Sequence, residues 1–340
     1  MATVSNHPQT EPSTAQTLHS GLREQLHARR HRLERIAERA TSDQIERLID
    51  EVDAALLRLE EGRLGICEFC HDSVEPEHLM ADPLARFCLS HLPPEQARAL
   101  EADLELAAEL QARLLPDKNF RAEGWNVAYD YRAAGLVSGD YCDLLLCPTT
   151  KTLYFALGDV SGKGVAASML MSNLNAMFRA LLPLDITSLP ELMAHANRVF
   201  CQATLPSQYA TLVLGKATPA GEVEICNAGH PEPLLLHNGS SIGLDGASVP
   251  IGLFRNQAFP SSTVQLAPGD TLVLYSDGLS EARNHAQQEY GAERLAENLR
   301  RHGSLAPTEV IGRCLGDLQA FRGGAASADD QTLMLIQRTR

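Results

Sequence analysis

Four acidic positions stand beside glycines or at the ends of apolar runs: Asp140 in Ser138-Gly139-Asp140, Asp159 in Gly158-Asp159-Val160, Asp277 in Ser276-Asp277-Gly278, and the pair Asp329-Asp330. A carboxylate at a strand end is rigidly aimed yet close to water. A small neighbour lets backbone carbonyls and solvent crowd in beside it. Those are the requirements of Mg²⁺ or Mn²⁺, which take near-octahedral oxygen ligation and keep several waters. Two such ions about 3.5–4 Å apart lower the pKa of a bound water and clamp phosphoryl oxygens, so no nucleophilic side chain is required. Taken singly, each aspartate reads as a turn former or helix cap. Their joint context argues for chemistry.

A second constellation uses softer ligands. Cys67-x-x-Cys70 and Cys88-x-x-His91 are paired knuckles with 17 residues between the halves. Such pairs place four ligands tetrahedrally about one structural Zn²⁺, and a segment this short needs a staple of that kind. His71 and His78 are alternative nitrogen donors, less well spaced. Lys163 and Arg132 are the candidate phosphate contacts, though a solvated lysine at a helix start describes Lys163 equally well. Asn227 and His230 fit a turn joining two strands.

These side chains need rigid elements to aim them. Downstream of Asn126, residues 152–157, 210–216, 222–227, 233–237, 271–275 and 332–337 read as strands separated by Gly, Pro, Asn and Asp. Helical periodicity marks residues 165–182, 189–203, 292–301 and 307–321. Hairpin-like strands mixed with a few long helices predict an α+β domain over residues 120–340, not a doubly wound sheet. Upstream, Leu22, Leu26, Leu33 and Ile36, then Ile45, Leu48, Val52, Leu56 and Leu59, predict a helical, coiled-coil hairpin over residues 18–61. Thr41 and Gln44 form a capping box for its second arm. The cysteine segment, residues 62–94, closes on Pro93-Pro94, and a linker helix follows over residues 95–116. There Ala97, Leu100, Leu104, Ala107, Gln111 and Leu114 make an a/d seam, with Leu106 and Leu110 in a second stripe. The seam predicts a parallel homodimer through residues 95–115 with Gln111 as its polar core residue. The second stripe is then left to touch the C-terminal domain.

Composition narrows the setting. With 44% hydrophobic and 21% charged residues the chain is ordinary for a soluble protein. A net charge of -14 argues against nucleic-acid binding over the whole molecule. It suits carboxylate clusters and a solvated acidic surface equally. No apolar run approaches the roughly 18 residues that span a bilayer. Residues 1–17, rich in Ser, Thr, Pro and Gln, read as a disordered tail without an export signal. Eight unevenly spread cysteines then point to reduced thiols in the cytoplasm. Two nucleotide motifs fail on the same stretch. A P-loop requires a wider glycine spacing and a Ser or Thr after the lysine, where Gly164 stands. A dinucleotide fingerprint would set Asp159 against pyrophosphate.

Several motifs carry a family resemblance. Val137-Ser138-Gly139-Asp140-Tyr141-Cys142-Asp143 resembles V-G-G-D-Y-Y-D, and Gly158-Asp159-Val160-Ser161-Gly162-Lys163-Gly164 matches G-D-V-S-G-K-G. Asn227-Ala228-Gly229-His230-Pro231, Pro250-Ile251-Gly252, Pro268-Gly269-Asp270 through Tyr275-Ser276-Asp277-Gly278 to Glu281-Ala282, and Asp329-Asp330-Gln331-Thr332 follow in the same order. Together they resemble the SpoIIE branch of the PPM metal-dependent phosphatases. The resemblance implies two packed antiparallel sheets flanked by helices (αββα) and two Mn²⁺ or Mg²⁺ ions. It assigns metal ligation to Asp140, Asp159, the Val160 carbonyl, Asp277 and Asp329, with Asp330 as the less settled member of its pair. It implies protein phosphoserine or phosphothreonine as substrate, in an anti-sigma-factor antagonist or similar regulator. Ser138 and Cys142 depart from the motif without removing a carboxylate. The segment from Leu57 through Cys70 to Cys88 resembles the DksA/TraR zinc finger, with His91 where that family has a fourth Cys. That likeness raises an RNA-polymerase-binding regulator as the alternative function, beside a phosphatase of small metabolites. The hairpin tip, residues 39–43, lacks the paired acids expected of a polymerase reader, which favours a sensory or docking module.

Overall fold

Helix α1 (Thr14–Ala37) folds back on α2 (Asp43–Glu60) through the periodic leucines. The structure, a computed structural model, describes residues 14–37, 43–181, 188–205, 208–325 and 327–339. Leu26, Val52, Ala55 and Leu59 are buried between the two arms, with Leu33 and Leu56 beside them. Arg30 of α1 donates to Asp53 of α2. The helix starts at Thr14, so the expected tail is shorter than residues 1–17; residues 1–13 lie outside the described residues. The tip and the Thr41 cap lie outside them too.

After α2 the chain makes a tight knuckle in which Cys67 N–H donates to the Asp72 carbonyl and Val74 N–H to that of Gly65. A short helix, α3 (Pro76–Ala81), follows. Leu22 of α1, Val74 and Leu79 pack around Cys67 and Cys88. The chain divides into two compact units, residues 1–102 and 103–340, and helix α4 (Pro94–Ala112) runs across that division. Pro94 opens α4 because the first helical residue needs no N–H partner.

The second unit holds two sheets. One has the order β1 (Asn119–Ala122), β2 (Trp125–Arg132), β12 (Gln331–Arg338), β11 (Thr271–Tyr275), β7 (Leu234–His237), β8 (Ser240–Gly243). The other runs β10 (Ser261–Gln265), β6 (Glu222–Ala228), β5 (Ala210–Ala217), β4 (Leu153–Val160), β3 (Asp140–Leu146). The pairing in both paths is antiparallel; β9 (Ala247–Ser248) joins β6 in parallel. Helices α5 (Gly164–Leu181) and α6 (Leu189–Ala203) cover one sheet, and α8 (Ala292–His302) and α9 (Pro307–Arg322) the other. The one-turn α7 (Asp277–Ser280) follows β11.

Period-two alternation builds the layers. Leu153, Phe155 and Leu157 of β4 meet Leu272 and Leu274 of β11 and Met334 of β12 between the sheets. Tyr154 and Ala156 face α5 and α6, and Val273 and Tyr275 face α8 and α9. The expected strands and helices of this unit are present, displaced by at most a few residues. Strands β1, β2, β3, β8, β9 and β10 were not expected from sequence. In β3, Asp140 and Asp143 interrupt the apolar pattern; Asp143 is buried against Arg179 of α5, whose guanidinium donates to both carboxylate oxygens at 2.7 and 3.0 Å. Among the described residues no helix is long and apolar enough to cross a membrane.

Helix α4 corrects the sequence reading. Leu114, just beyond it, packs on the core under α5 and α6, and Gln111 is buried, while Leu106 and Leu110 are exposed. Of the expected seam members Gln111 and Leu114 therefore meet their own C-terminal domain, Leu100 is exposed, and the stripe expected to touch that domain faces solvent.

Candidate metal centre

Asp140 opens β3 and lies directly opposite Asp159 of β4 in the ladder. Both share the inter-sheet face with Cys142 and Leu157, since side chains two residues apart point the same way. Asp140 is 1% exposed. One of its oxygens accepts from the Thr332 hydroxyl, and the other, Oδ1, is buried with no hydrogen-bond partner. A buried carboxylate oxygen without a partner is costly unless a cation meets it.

The remaining acids converge on the same end of the sandwich. Burial, with Asp330 and Asp277 nearby, pushes the Asp140 carboxyl up to about 7. Burial and the repulsion of Asp140, Asp277, Asp329 and Asp330 push Asp159 up to about 8. Asp277, at the start of α7, is raised by burial and by Asp329, with Lys163 opposing the shift. Divalent cations at this end would remove the repulsion and satisfy the orphaned oxygen, so the residues present fit the ions that the motifs imply.

Two glycines allow the convergence. A Cβ on Gly139 would sit 3.0 Å from the Val160 carbonyl oxygen and 3.4 Å from Asp159 Oδ1. The Val160 carbonyl and the Asp159 carboxylate thus crowd the same point, as expected of paired ligands. A Cβ on Gly278 would lie 1.9 Å from the Asp330 carbonyl oxygen, which bars any other residue there without moving Asp277 away from Asp329.

Asp329 and Asp330 divide the work. Asp330 accepts from the Ala134 N–H at 2.7 Å and the Gly139 N–H at 2.8 Å, one with each oxygen. It clips the segment that carries Asp140, with each carboxylate oxygen taken up by one backbone N–H. Asp329 keeps a half-exposed carboxylate, 3.0 Å from Lys163 Nζ. Lys163 therefore sits at the cluster, held also by the Ala328 carbonyl. Arg132 donates to Asp130 at 2.7 Å and lines a cavity of about 220 Å³ with Arg322. A second cavity of about 160 Å³ borders Asp329 and Gly278 and is lined by Glu281, Arg283, Arg322 and Ser327. Asn227 and His230 form the expected turn: Asn227 accepts from the His230 N–H at 2.9 Å and donates to its carbonyl at 3.1 Å. The imidazole of His230 meets Thr211, the ladder partner of Asp159, at 2.8 Å.

In the first unit, Cys67, Cys70, Cys88 and His91 bring their ligand atoms within 4.8 Å of one another, and among the described residues no other such group forms. The Cys70 and Cys88 sulfurs are 3.9 Å apart, and His91 Nδ1 is 3.1 Å from Cys88 Sγ. Bonds of about 2.3 Å from one Zn²⁺ to two tetrahedral sulfurs span about 3.8 Å, far from a disulfide's ~2 Å. Phe69 stacks on the His91 ring with centroids 4.5 Å apart, fixing its plane. His71 and His78 stay outside the quartet.

Comparison with known proteins settles the lineage. The profile of Stage II sporulation protein E (SpoIIE) matches residues 149–339, more than half of the chain. The chain belongs to the SpoIIE family. Asp159, Val160, Asp277, Asp329 and Asp330 lie inside the SpoIIE match, and Asp140 precedes it. Protein IcfG of Synechocystis is 25% identical over 265 residues, 69% of this chain and 41% of its own length. This chain thus spans less than half of that relative. Phosphoserine phosphatase RsbU of Bacillus subtilis is 24% identical over 245 residues, 70% of this chain and 71% of its own. The SiaA-PP2C domain of Pseudomonas aeruginosa matches in fold with a TM-score of 0.62 at 20% identity, covering 72% of this chain and 98% of that domain. The two antiparallel sheets with flanking helices are the architecture shared by PP2C and SpoIIE phosphatase structures.

Sequence reasoning missed three parts of this centre. Thr332 appeared only as the last letter of a motif, Asp330 as an alternate ligand, and Gln111 as a dimer residue. A threonine two residues after an aspartate on a strand start carries a faint local signal. A bond from α4 to a loop 27 residues away carries none.

Proposed function

We propose that residues 120–340 hydrolyse phosphoserine or phosphothreonine in a regulatory protein with Mn²⁺ or Mg²⁺ as cofactor. The observation that carries this reading is the ladder pair Asp140–Asp159, with its orphaned oxygen, set among Asp277, Asp329 and Asp330. Asp140, Asp159, the Val160 carbonyl, Asp277 and Asp329 would hold the two ions. When bound, such ions supply an activated water and a clamp on the phosphoryl oxygens. Asp330 and Thr332 act one step back, fixing the Gly139–Asp140 backbone and the Asp140 carboxylate. Lys163 balances the charge of Asp329 and lies where a phosphate oxygen would arrive. The RsbU resemblance supports a phosphoprotein substrate, and we take an anti-sigma-factor antagonist as its class. The Cys67, Cys70, Cys88 and His91 quartet would hold one structural Zn²⁺ in an upstream sensory or docking module, in a cytoplasmic protein.

Replacing Asp277 by Asn tests the reading, because it removes a ligand charge and leaves the shape. Hydrolysis of a phosphoserine protein substrate should fall at least about 1,000-fold, a loss on the order of 4 kcal/mol in transition-state stabilisation. Excess chelator should do the same to the unmodified protein. Full activity in either case would overturn the metal mechanism. Equal activity on small phosphate esters and on phosphoproteins would favour the metabolite alternative.

A further inference from the structure

The segment leading to Asp140 is gripped from two sides, and one grip comes from outside the sandwich. On one side Asp330 holds the Ala134 and Gly139 N–H groups. On the other, Gln111 at the end of α4 reaches Ser138. Its Nε2 donates to the Ser138 carbonyl at 2.7 Å, and its Oε1 accepts from the Ser138 N–H at 2.9 Å. Gln111 is 7% exposed and Ser138 fully buried. A primary amide offers a donor and an acceptor side by side, so it pairs with one residue's backbone as a neighbouring strand would. Asp or Glu has no donor and Lys or Arg no acceptor, so the site selects Gln by chemistry as well as by length.

What Ser138 holds is the metal end itself. Its hydroxyl accepts from the Asp140 N–H at 3.1 Å. The next residue, Gly139, accepts from the Val160 N–H and crowds the Val160 carbonyl oxygen and Asp159. We propose that Gln111 is a positioning residue of the metal centre, fixing through Ser138 the backbone that aims Asp140 and sets Gly139 against Val160. This inference rests on the metal-centre reading above and adds a residue outside every aspartate motif. A plain docking contact for α4 is the competing explanation, and it has its own anchor: the Tyr129 hydroxyl donates to the Pro116 carbonyl at 2.5 Å.

The test measures Mn²⁺ binding to the full chain by titration calorimetry, without substrate, in Gln111→Met, Gln111→Glu and Tyr129→Phe. Met fills the volume without either bond; Glu keeps the acceptor but opposes the Ser138 carbonyl. Both should weaken Mn²⁺ binding roughly 10- to 100-fold, the usual loss when a ligand's supporting bond is removed. The metal concentration for half activity should move by the same factor, with kcat at saturating metal within about twofold. Tyr129→Phe should leave metal affinity unchanged. Unchanged affinity in Gln111→Met, or an equal loss in Tyr129→Phe, overturns the proposal. Hydrogen exchange of the unmodified, metal-free protein keeps it testable should the variants misfold. The Ser138 amide should be as protected as those of β3, and free exchange there would also overturn it. Mn²⁺ binding without phosphatase activity would sink the proposed function and leave this inference standing. No Mn²⁺ binding at all would remove both.

Discussion

Asp159 sits directly across the ladder from Asp140, and their closeness makes the metal-free centre sensitive to pH. Both carboxyls are raised in the folded chain, to about 7 and about 8, above the ~3.9 of an unfolded aspartate. The folded state therefore holds protons that the unfolded state has released. Their stabilising contribution is complete below about pH 4 and is lost as pH rises through 7 to 8. The melting temperature of chelator-treated protein should fall across that window. Asp159→Asn should flatten the fall and raise the melting temperature at pH 8, because it deletes the most repelled charge. Thermal melts followed by circular dichroism at pH 5 and pH 8.5 would check this; a metal-free melting temperature that climbs with pH would refute it. Asp140, Asp159 and Asp277 were legible in the sequence because each sits beside a glycine, and Asp329 because it opens a D-D-x-T motif. Asp330 was named with them, but its hold on the backbone of residues 134 and 139 was not legible, because those partners lie far away along the chain.

At the scale of elements, legibility followed periodicity. Strand β11 (Thr271–Tyr275) and helix α6 (Leu189–Ala203) appear where alternation and the 3.6-residue repeat place them. Strand β3 was hidden because function puts carboxylates at its inward positions. Helix α4 shows the limit of a heptad reading: an a/d pattern says which face is apolar, not which surface covers it. The knuckle was readable from cysteine spacing, yet its core is thin. Five buried residues, two of them cysteines, form that cluster, so the proposed zinc would supply much of the local stability. Full-length protein purified without chelator should contain one Zn²⁺ per chain. Cys88→Ala should abolish it and open residues 62–94 to limited proteolysis. Elemental analysis showing no zinc in the unmodified protein would remove the ion from this unit.

At the scale of the whole molecule, the acidic chain with a net charge of -14 carries its two proposed metal sites in separate units. We propose a homodimer through residues 95–115, with a seam different from the one the heptads imply. Gln111 and Leu114 are engaged within the chain, which leaves Leu106 and Leu110, 55% and 57% exposed, to meet a second copy. Sedimentation at tens of micromolar should show a dimer that Leu110→Glu dissociates. A monomeric unmodified protein would retire it, and a Leu110→Glu protein that stays dimeric would place the interface elsewhere.

The place of β12 in its sheet has a consequence for how the domain is born. It pairs with β2 on one side and β11 on the other, so the strand that follows all the other described strands in the chain is an inner one. During synthesis, β1 and β2 leave the ribosome long before the strand that joins them to β11 exists. That first sheet stays in two pieces until residues 331–338 emerge. The same stretch and its approach carry Asp329, Asp330 and Thr332, so the proposed ligand, the clip and the partner of the Asp140 carboxylate arrive with the closing strand. A nascent chain can fold its other sheet early and still have no assembled centre. On the function proposed above, hydrolytic competence would switch on only when translation of the domain is finished, which would spare the cell a half-made phosphatase.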